Sequence, residues 1–207
     1  MERELLVVDD LAAAAVGLFL AVEPASVALA GGSTPRLFYE ALAKVDYPWK
    51  RLEVFFGDER CVPPDHPDSN FGMAREALLS RVPARVHPMT ACDAAAHEAE
   101  LGSVLGSPPA LDLLFLGLGA DGHTASLFPG DPALEERSRW VARVERPDHA
   151  RLTLTLPVLS AARVACFLVS GREKRDRVRD LLDGADIPAA RVAAGRVLIL
   201  ADREAAP

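Results

Sequence analysis

The sequence predicts an α/β fold: an open, mostly parallel, Rossmann-like sheet that is flanked by helices and forms a single domain over residues 1–207. Three observations support this prediction. The length of 207 residues fits one domain, and 50% of the residues are hydrophobic, which is enough for a sizeable core. Short apolar runs alternate with helical patterns. Runs such as 111–117 are apolar without alternation, as expected for strands buried on both faces of a parallel sheet.

The predicted elements follow one another along most of the chain. Apolar runs predict strands at 26–31, 52–57, 85–89, 111–119, 139–145, 164–171 and 195–201. Helical periodicity predicts helices at 11–22, 35–44, 69–81, 91–105 and 172–183. The first helix follows acidic residues rather than a basic segment and is too short to span a membrane, so we interpret it as buried.

Charge and cysteine content limit the partners and the compartment. The formal net charge is -7 at pH 7, which disfavours nucleic acid and anionic membranes as partners. The three cysteines are odd in number and lack C-x-x-C spacing. This pattern is typical of a reducing compartment and predicts neither a disulfide framework nor a structural zinc site. We therefore expect a cytoplasmic protein that does not enter a membrane.

The first of three unusual loops is Gly31-Gly32-Ser33-Thr34-Pro35, which leads from a predicted strand into a helix. Ligands of open α/β sheets bind at this carboxyl edge of the strands. The glycines permit a close backbone approach, so several N–H groups could point at one anion above the helix N-terminus. Alternatively, Ser33 or Thr34 simply caps the helix and Pro35 occupies its first position. The loop alone is compatible with both interpretations.

The second loop follows the strand at 52–57 and begins with Asp58, Glu59 and Arg60. The guanidinium of Arg60 offers a planar pair of donors to a phosphate, a carboxylate or a developing oxyanion. A solvated surface cluster is the alternative. Four possible metal ligands also occur in this loop: Cys61, Asp65, His66 and Asp68. Their spacing matches no structural zinc pattern, and we predict no metal site.

The third loop, Gly117–Gly130, has the sequence GLGADGHTASLFPG. Its first six residues match G-x-G-x-x-G, but a dinucleotide loop opens a long helix and the Pro-Gly pair here allows none. A catalytic turn is the better interpretation. Asp121 can accept from one nitrogen of the His123 ring and leave the other free as a base, while Gly122 lets a ligand approach closely. A surface histidine in a glycine-rich turn is the alternative for His123 taken alone.

Together these segments resemble the 6-phosphogluconolactonases, within a superfamily that includes glucosamine-6-phosphate deaminase. The resemblance covers nearly the whole chain and comprises GGSTP, FFGDERCVPPDHPDSN, LDLLFLGLGADGHTASLFPG, RLTLTLPVLSAA, FLVSGREKRDRV and a closing LILAD. The deaminases carry a glutamate shortly after the histidine, whereas GHTASLFPG contains no acid. This difference disfavours amine chemistry.

The resemblance implies a hydrolase of the oxidative pentose phosphate pathway that converts 6-phospho-D-glucono-1,5-lactone to 6-phospho-D-gluconate without a cofactor. It implies that His123 activates the attacking water, and that Asp121 and Asp58 orient this water or the substrate. The implied ligands of the sugar phosphate are Gly31, Gly32, Ser33, Thr34, Arg60, Asn70, Gly122, Arg151 and Lys174.

Lys174 is also a candidate on physical grounds, because it lies in the first turn of a predicted helix at a strand's carboxyl end. A cation there opposes the helix dipole, and a bound anion would offset that cost. A solvated helix face is the alternative for the segment 172–180. Arg151, which opens RLTLT, is a further candidate, although strand arginines often pair with surface carboxylates.

Three other functions are compatible with parts of this sequence. A catalytically silent sugar-phosphate-binding module would need the first loop and Lys174 but not Asp121 and His123. An isomerase or deaminase of amino-sugar phosphates would release ammonia from glucosamine 6-phosphate. A nicotinamide oxidoreductase would be protected from heat by NAD or NADP. The third loop lacks G-x-S-x-G, so for a lactonase we predict direct attack by water rather than an acyl-enzyme.

Overall fold

The computed structural model describes residues 3–207. The strands are β1 (Arg3–Val7), β2 (Ser26–Leu29), β3 (Glu53–Phe56), β4 (Asp58–Arg60), β5 (Arg85–Val86), β6 (Leu113–Leu116), β7 (Val141–Val144), β8 (Arg151–Leu154), β9 (Val164–Val169) and β10 (Arg196–Ala201). The α-helices are α1 (Leu11–Val22), α2 (Ser33–Leu42), α3 (Asn70–Ala74), α4 (Ala94–Leu105), α5 (Leu156–Ala161) and α6 (Arg175–Asp183). A π-helical turn, Arg75–Leu79, continues α3, and 3-10 turns occupy Trp49–Arg51, Pro132–Glu135, Arg172–Lys174 and Pro188–Arg191.

Seven strands form one fully parallel sheet in the order β1-β10-β9-β6-β2-β3-β5. Every residue of β2, β6 and β9 is buried. Successive side chains point to opposite faces, so Phe55 packs in one hydrophobic cluster and Phe56 in another. Helices cover both clusters, which explains why the strands lack polar alternation. The predicted open, mostly parallel sheet with flanking helices is confirmed.

A second, smaller sheet was not predicted. It is antiparallel, with the order β4-β8-β7. The strand predicted at 139–145 belongs to this sheet, as Val141–Val144, and not to the parallel one. Gly57 alone separates β3 from β4, so the chain passes from the large sheet into the small one at the carboxyl edge. The small sheet therefore lies beside the ligand-binding edge of the large sheet.

Several element boundaries also differ from the prediction. The strand predicted at 85–89 is limited to Arg85–Val86, and the helix predicted at 69–81 divides into α3 and the π-helical turn. β1 was missed because it is an edge strand with charged and exposed positions. α5 was missed because its six residues are too few to establish a helical period.

The structure contains a disulfide, although the number and spacing of the cysteines predicted none. Cys61 and Cys92 form a disulfide with Cα atoms 5.2 Å apart, whereas Cys166 is free and buried. Burial raises the pKa of the Cys166 thiol. The expectation of no disulfide was therefore wrong for one pair, because contact between residues 31 positions apart depends on tertiary structure.

The N-terminal helix α1 is less buried than expected. Only Ala15 and Phe19 are fully buried, and Leu20 remains 39% exposed. Asp10 caps the helix by accepting a hydrogen bond from the backbone N–H of Ala13 at 2.9 Å. Across residues 3–207, no helix combines the length and the apolar character that crossing a membrane requires.

Candidate active site

Four adjacent strands of the parallel sheet, in the order β9-β6-β2-β3, end at one cavity of about 220 Å³. The chain leaves β2 toward β3 and leaves β6 toward β9, so a crevice opens between β2 and β6 where the direction of winding reverses. Eight of the twelve predicted site residues line this cavity: Gly31, Gly32, Asp58, Arg60, Asn70, His123, Arg151 and Lys174. The fold thus brings together residues that are as much as 143 positions apart in sequence.

The pair of His123 and Asp121 lies in the turn that follows β6. The Asp121 carboxylate is 2.6 Å from His123 Nδ1 and also accepts the His123 backbone N–H at 3.1 Å. With Nδ1 donating to the carboxylate, the lone pair of the neutral imidazole is on Nε2. Partial burial acts to raise the pKa of Asp121, but the hydrogen bonds from His123 outweigh it and hold the pKa below its ordinary value. This arrangement leaves Nε2 as the acceptor nitrogen of the neutral ring, with a carboxylate on the other nitrogen.

Gly119 makes this pair possible. A Cβ at position 119 would overlap His123 Nδ1 and lie 2.7 Å from the Asp121 carboxylate. The Gly119 backbone N–H also donates to the His123 carbonyl at 2.8 Å, which closes the turn. On its other side the His123 ring packs against Phe128, with centroids 4.4 Å apart. The ring is thus held by contacts on two sides while its side chain stays 31% exposed.

Gly122 lies outside the cavity lining, and its conformation has a structural reason. It adopts φ +85°, a conformation that favours glycine, and a Cβ there would lie 2.7 Å from the Ile187 side chain. Its carbonyl accepts the backbone N–H of Ala189 at 3.0 Å. Gly122 therefore packs the turn against the 3-10 segment Pro188–Arg191 and is absent from the cavity lining.

Asp58 is 7% exposed and lies in a buried hydrogen-bond network at the cavity wall. Its Oδ2 accepts from the Ser126 hydroxyl at 2.6 Å. Asn70 Nδ2 donates to the Asp58 carbonyl at 2.9 Å. Ser126 was not predicted as a site residue, and nothing in its local sequence indicates the contact. It reaches Asp58 through the tight turn at Thr124–Leu127, in which Ala125 adopts φ +48°.

Glu59 is buried and holds the start of α3 in place. Its buried carboxylate accepts the backbone N–H groups of Asn70 at 2.8 Å and Phe71 at 2.6 Å, and the hydroxyl of Ser69 at 3.0 Å. Burial raises its pKa above the ordinary value, against the opposing effect of these hydrogen bonds. Because these groups form the start of α3, Glu59 fixes that helix end and with it the side chain of Asn70. The interpretation of 58–60 as a solvated cluster fails for Asp58 and Glu59.

Arg60 and Arg151 face each other directly in the antiparallel pairing of β4 with β8, and both line the cavity. Arg60 Nη1 donates to the Asp68 carbonyl at 2.6 Å, and Arg151 Nη2 pairs with Asp148 at 2.6 Å. The Nε atoms of both arginines are buried without a hydrogen-bond partner among residues 3–207. Like charges opposite each other in a ladder are unfavourable. An anion between them would offset this repulsion.

The first loop departs from the prediction in detail. Gly32, with φ +107°, is the N-cap of α2, and no side chain caps the helix. The alternative that Ser33 or Thr34 caps the helix is wrong, because both residues already belong to α2. Neither residue lines the cavity, and their role as phosphate ligands stays a prediction. Gly31 faces Asn70 so closely that a Cβ would overlap its side-chain amide. The backbone of Gly31 and Gly32 lines the cavity at the start of a ten-residue helix.

Lys174 reaches the cavity from the end of β9. It lies in the 3-10 turn that precedes α6, following Gly171 at φ +97°. The side chain is half-buried and makes no ion pair with any of residues 3–207. With Arg60 and Arg151 it completes three cations around one small cavity of an acidic protein.

Two other ligands considered from the sequence were a dinucleotide and a metal ion. Between β6 and β7 the described chain contains no helix longer than the 3-10 turn Pro132–Glu135, so the turn lacks the helix that a dinucleotide site requires. Among residues 3–207, one group of three possible metal ligands has donor atoms within 4.8 Å of one another: His66, Asp68 and His149, outside the cavity lining. Cys61 is in the disulfide and Asp65 is not part of this group.

Comparison with known proteins identifies the family of this chain. A family model described as glucosamine-6-phosphate isomerases/6-phosphogluconolactonase matches residues 5–200. A 6-phosphogluconolactonase of Synechocystis is 44% identical over an alignment that covers 75% of this chain and 70% of the relative. One of Mycobacterium tuberculosis is 41% identical, with 76% and 73% covered. The solved structure of 6-phosphogluconolactonase from Trypanosoma brucei has a TM-score of 0.87 at 32% identity and covers 99% of this chain and 97% of that chain.

Proposed function

The chain belongs to the glucosamine-6-phosphate isomerase/6-phosphogluconolactonase family, and on this premise we propose that it hydrolyses 6-phospho-D-glucono-1,5-lactone to 6-phospho-D-gluconate in the oxidative pentose phosphate pathway. One observation carries the proposal: His123, with Nδ1 on the Asp121 carboxylate, borders a cavity that three cations also line. A neutral base beside an anion-binding surface fits an uncharged ester on a phosphorylated sugar. We also propose that residues 1–207 form one domain and that the protein is cytoplasmic.

The proposed chemistry begins with water held between His123 Nε2 and the lactone carbonyl carbon. As the water oxygen bonds to this carbon, Nε2 takes its proton and the carbonyl oxygen becomes an oxyanion. The Asp121 carboxylate stabilises the imidazolium that forms. When the oxyanion collapses, the bond from carbon to the ring oxygen breaks and the imidazolium returns its proton to that oxygen. The products are a carboxylic acid and a hydroxyl on one open chain.

We assign the substrate phosphate to the cations and the first loop. Arg60, Arg151 and Lys174 supply charge, and the N–H groups of Gly31 and Gly32 approach from the start of α2. Asp58 is proposed to orient water or substrate through its network with Ser126 and Asn70. This division separates groups that hold the substrate from groups that move a proton.

The test is acid release from freshly generated 6-phosphogluconolactone, measured against the spontaneous background. We expect His123→Ala to lose about 10²- to 10⁴-fold in kcat, because it removes general-base catalysis. Lys174→Ala should mainly raise KM, because it removes binding that is shared by ground and transition states. No acceleration by the wild-type chain would sink the lactonase assignment. Activity that survives in His123→Ala would keep the reaction and remove His123 as its base.

One further assay distinguishes lactone hydrolysis from the deaminase reaction of this family. The stretch after His123 contains no acid up to Gly130, and Ser126 within it is engaged with Asp58. We therefore expect no ammonia release from glucosamine 6-phosphate. Ammonia release faster than lactone hydrolysis would reverse the assignment between the two chemistries of the family.

A further inference from the structure

Two histidines and an aspartate meet outside the proposed active site. His66 and Asp68 lie in the proline-rich turn after β4, and His149 lies just before β8. One side-chain donor atom from each residue lies within 4.8 Å of the other two. Asp68 Oδ2 is 3.0 Å from His149 Nε2 and 3.8 Å from His66 Nδ1. The fold alone creates this group, since Asp68 and His149 are 81 residues apart.

The donor set has the composition of a transition-metal site. Two imidazoles and one carboxylate are ligands that zinc and similar divalent ions accept, with bond lengths of about 2.0–2.2 Å. His66 Nδ1 accepts the Asp68 backbone N–H at 3.2 Å, so in the neutral ring that nitrogen carries a lone pair rather than a proton. A neutral imidazole binds metal through this same lone pair, so coordination by Nδ1 would replace the hydrogen bond from Asp68.

The surrounding structure holds both sides of this group in place. The His66 N–H donates to the Pro63 carbonyl at 2.9 Å, and the Ser69 N–H donates to the His66 carbonyl at 3.0 Å. Arg60 donates to the carbonyl of Asp68 at 2.6 Å. On the other side, Arg151 pairs with Asp148, the residue before His149. The ligands therefore sit on segments that are already ordered by the two arginines of the cavity.

We propose that His66, Asp68 and His149 form a binding site for a divalent transition-metal ion of the zinc class. Ligands at such bond lengths lie about 3.3 Å from one another in a tetrahedral site. The present separations reach that value by rotation of exposed or half-exposed side chains, which are 27–53% exposed. The bound ion joins the turn after β4 to the segment before β8, and it braces the backbone next to Arg60 and Arg151.

Direct metal binding tests this proposal without any activity assay. The full chain, freed of any affinity tag and stripped with a chelator, is dialysed against buffered Zn²⁺, and bound zinc is measured. We expect His149→Gln and His66→Gln each to weaken zinc binding by more than about tenfold, because each removes a ligand. His123→Gln is the matched control, since it removes the other exposed His–Asp pair and should retain the zinc of the proposed site.

The spectrum of Co²⁺ gives a second readout. Cobalt in a tetrahedral nitrogen and oxygen site absorbs strongly in the visible range, and we expect this absorption in the wild type and in His123→Gln but not in His149→Gln. Circular dichroism confirms that each variant is folded. Equal zinc binding by the wild type, His66→Gln and His149→Gln would overturn the proposal. Loss of zinc only in His123→Gln would also overturn it and would place the ion in the cavity.

Discussion

Two regions approach the same cavity and are built in opposite ways. The turn Gly117–Phe128 depends on backbone geometry: Gly119 leaves the space in which the His123–Asp121 pair forms. The arginine pair, Arg60 and Arg151, depends on charge: two cations face each other across an antiparallel ladder with unpaired buried donors. The first region is closed by hydrogen bonds within the turn, whereas the second places like charges opposite each other and leaves two donors without a partner among residues 3–207. If the proposed roles hold, the two regions separate proton transfer from substrate anchoring, so substitutions in each should change different kinetic constants.

The largest expected effect comes from filling the space at Gly119. In Gly119→Ala the new methyl group would overlap His123 Nδ1, so the ring must leave Asp121. We expect kcat to fall by about 10²- to 10⁴-fold, as for loss of the base, with KM little changed. Gly17→Ala in α1 is the control, because a Cβ there meets no atom within 4 Å and Gly17 does not line the cavity. Steady-state kinetics of both variants check this, and a Gly119→Ala enzyme of normal kcat would show that the pair is not needed.

Substitution of either arginine of the pair should change KM rather than kcat. A charge-assisted hydrogen bond contributes about 1.5–3 kcal/mol, so Arg60→Met or Arg151→Met should raise KM by about 10- to 100-fold and leave kcat nearly constant. Inorganic phosphate should also raise the Tm of the wild type more than that of either variant. Arg196→Met is the control, since Arg196 pairs with Glu4 at the opposite edge of the sheet. If kcat falls and KM does not, the arginines act on the chemistry instead.

A smaller effect, on stability rather than kinetics, is expected at Glu59. In Glu59→Gln one acceptor oxygen becomes an amide that faces N–H or O–H donors. An unsatisfied buried group costs about 1–3 kcal/mol, so the free energy of unfolding should fall by that amount in urea denaturation. kcat should change less than in Gly119→Ala, because Glu59 acts on Asn70 through the start of α3. Unchanged stability would mean that the buried carboxylate is not required.

The smallest effect is a pH dependence of stability at Asp121. Its pKa in the folded chain lies below the ordinary value of 3.8, so its contribution is present above that value and is lost as pH falls through the lowered pKa. For a half-exposed pair we expect Asp121→Asn to cost about 1 kcal/mol or less near neutral pH. The difference in Tm between wild type and Asp121→Asn should shrink as the pH falls below 3.8 and through the lowered pKa of Asp121. A constant difference across pH would show that the carboxylate charge is not its source.

The parallel sheet could be predicted because its signal is local. β2, β6 and β9 are apolar at every position, and a strand buried on both faces has no other composition available. The small sheet could not be predicted in the same way. β4 has three residues, all charged, and becomes a strand only by pairing with β8 more than 90 positions later. The Cys61–Cys92 disulfide was missed for the same reason.

In the candidate site, too, contacts between neighbouring residues could be predicted and contacts between distant segments could not. His123 and Asp121 are two positions apart, so their contact could be inferred from spacing. Gly122 was assigned to ligand approach because the sequence does not contain its contact with Ile187. Ser126 was missed because its hydroxyl meets Asp58 across 68 positions. Local geometry was predictable where the partner lies within the same turn and was not where the partner lies in another element.

By itself the sequence determined the class of the fold, the loops at the carboxyl edge and the His123–Asp121 pair, because burial patterns, glycines and short-range hydrogen bonds act over a few residues. Only the tertiary structure decided that Arg60 faces Arg151, that Glu59 is buried, and that His149 joins His66 and Asp68. These arrangements depend on strand register and on contacts between distant segments. Their free energy comes from packing of the whole chain, which no local pattern encodes.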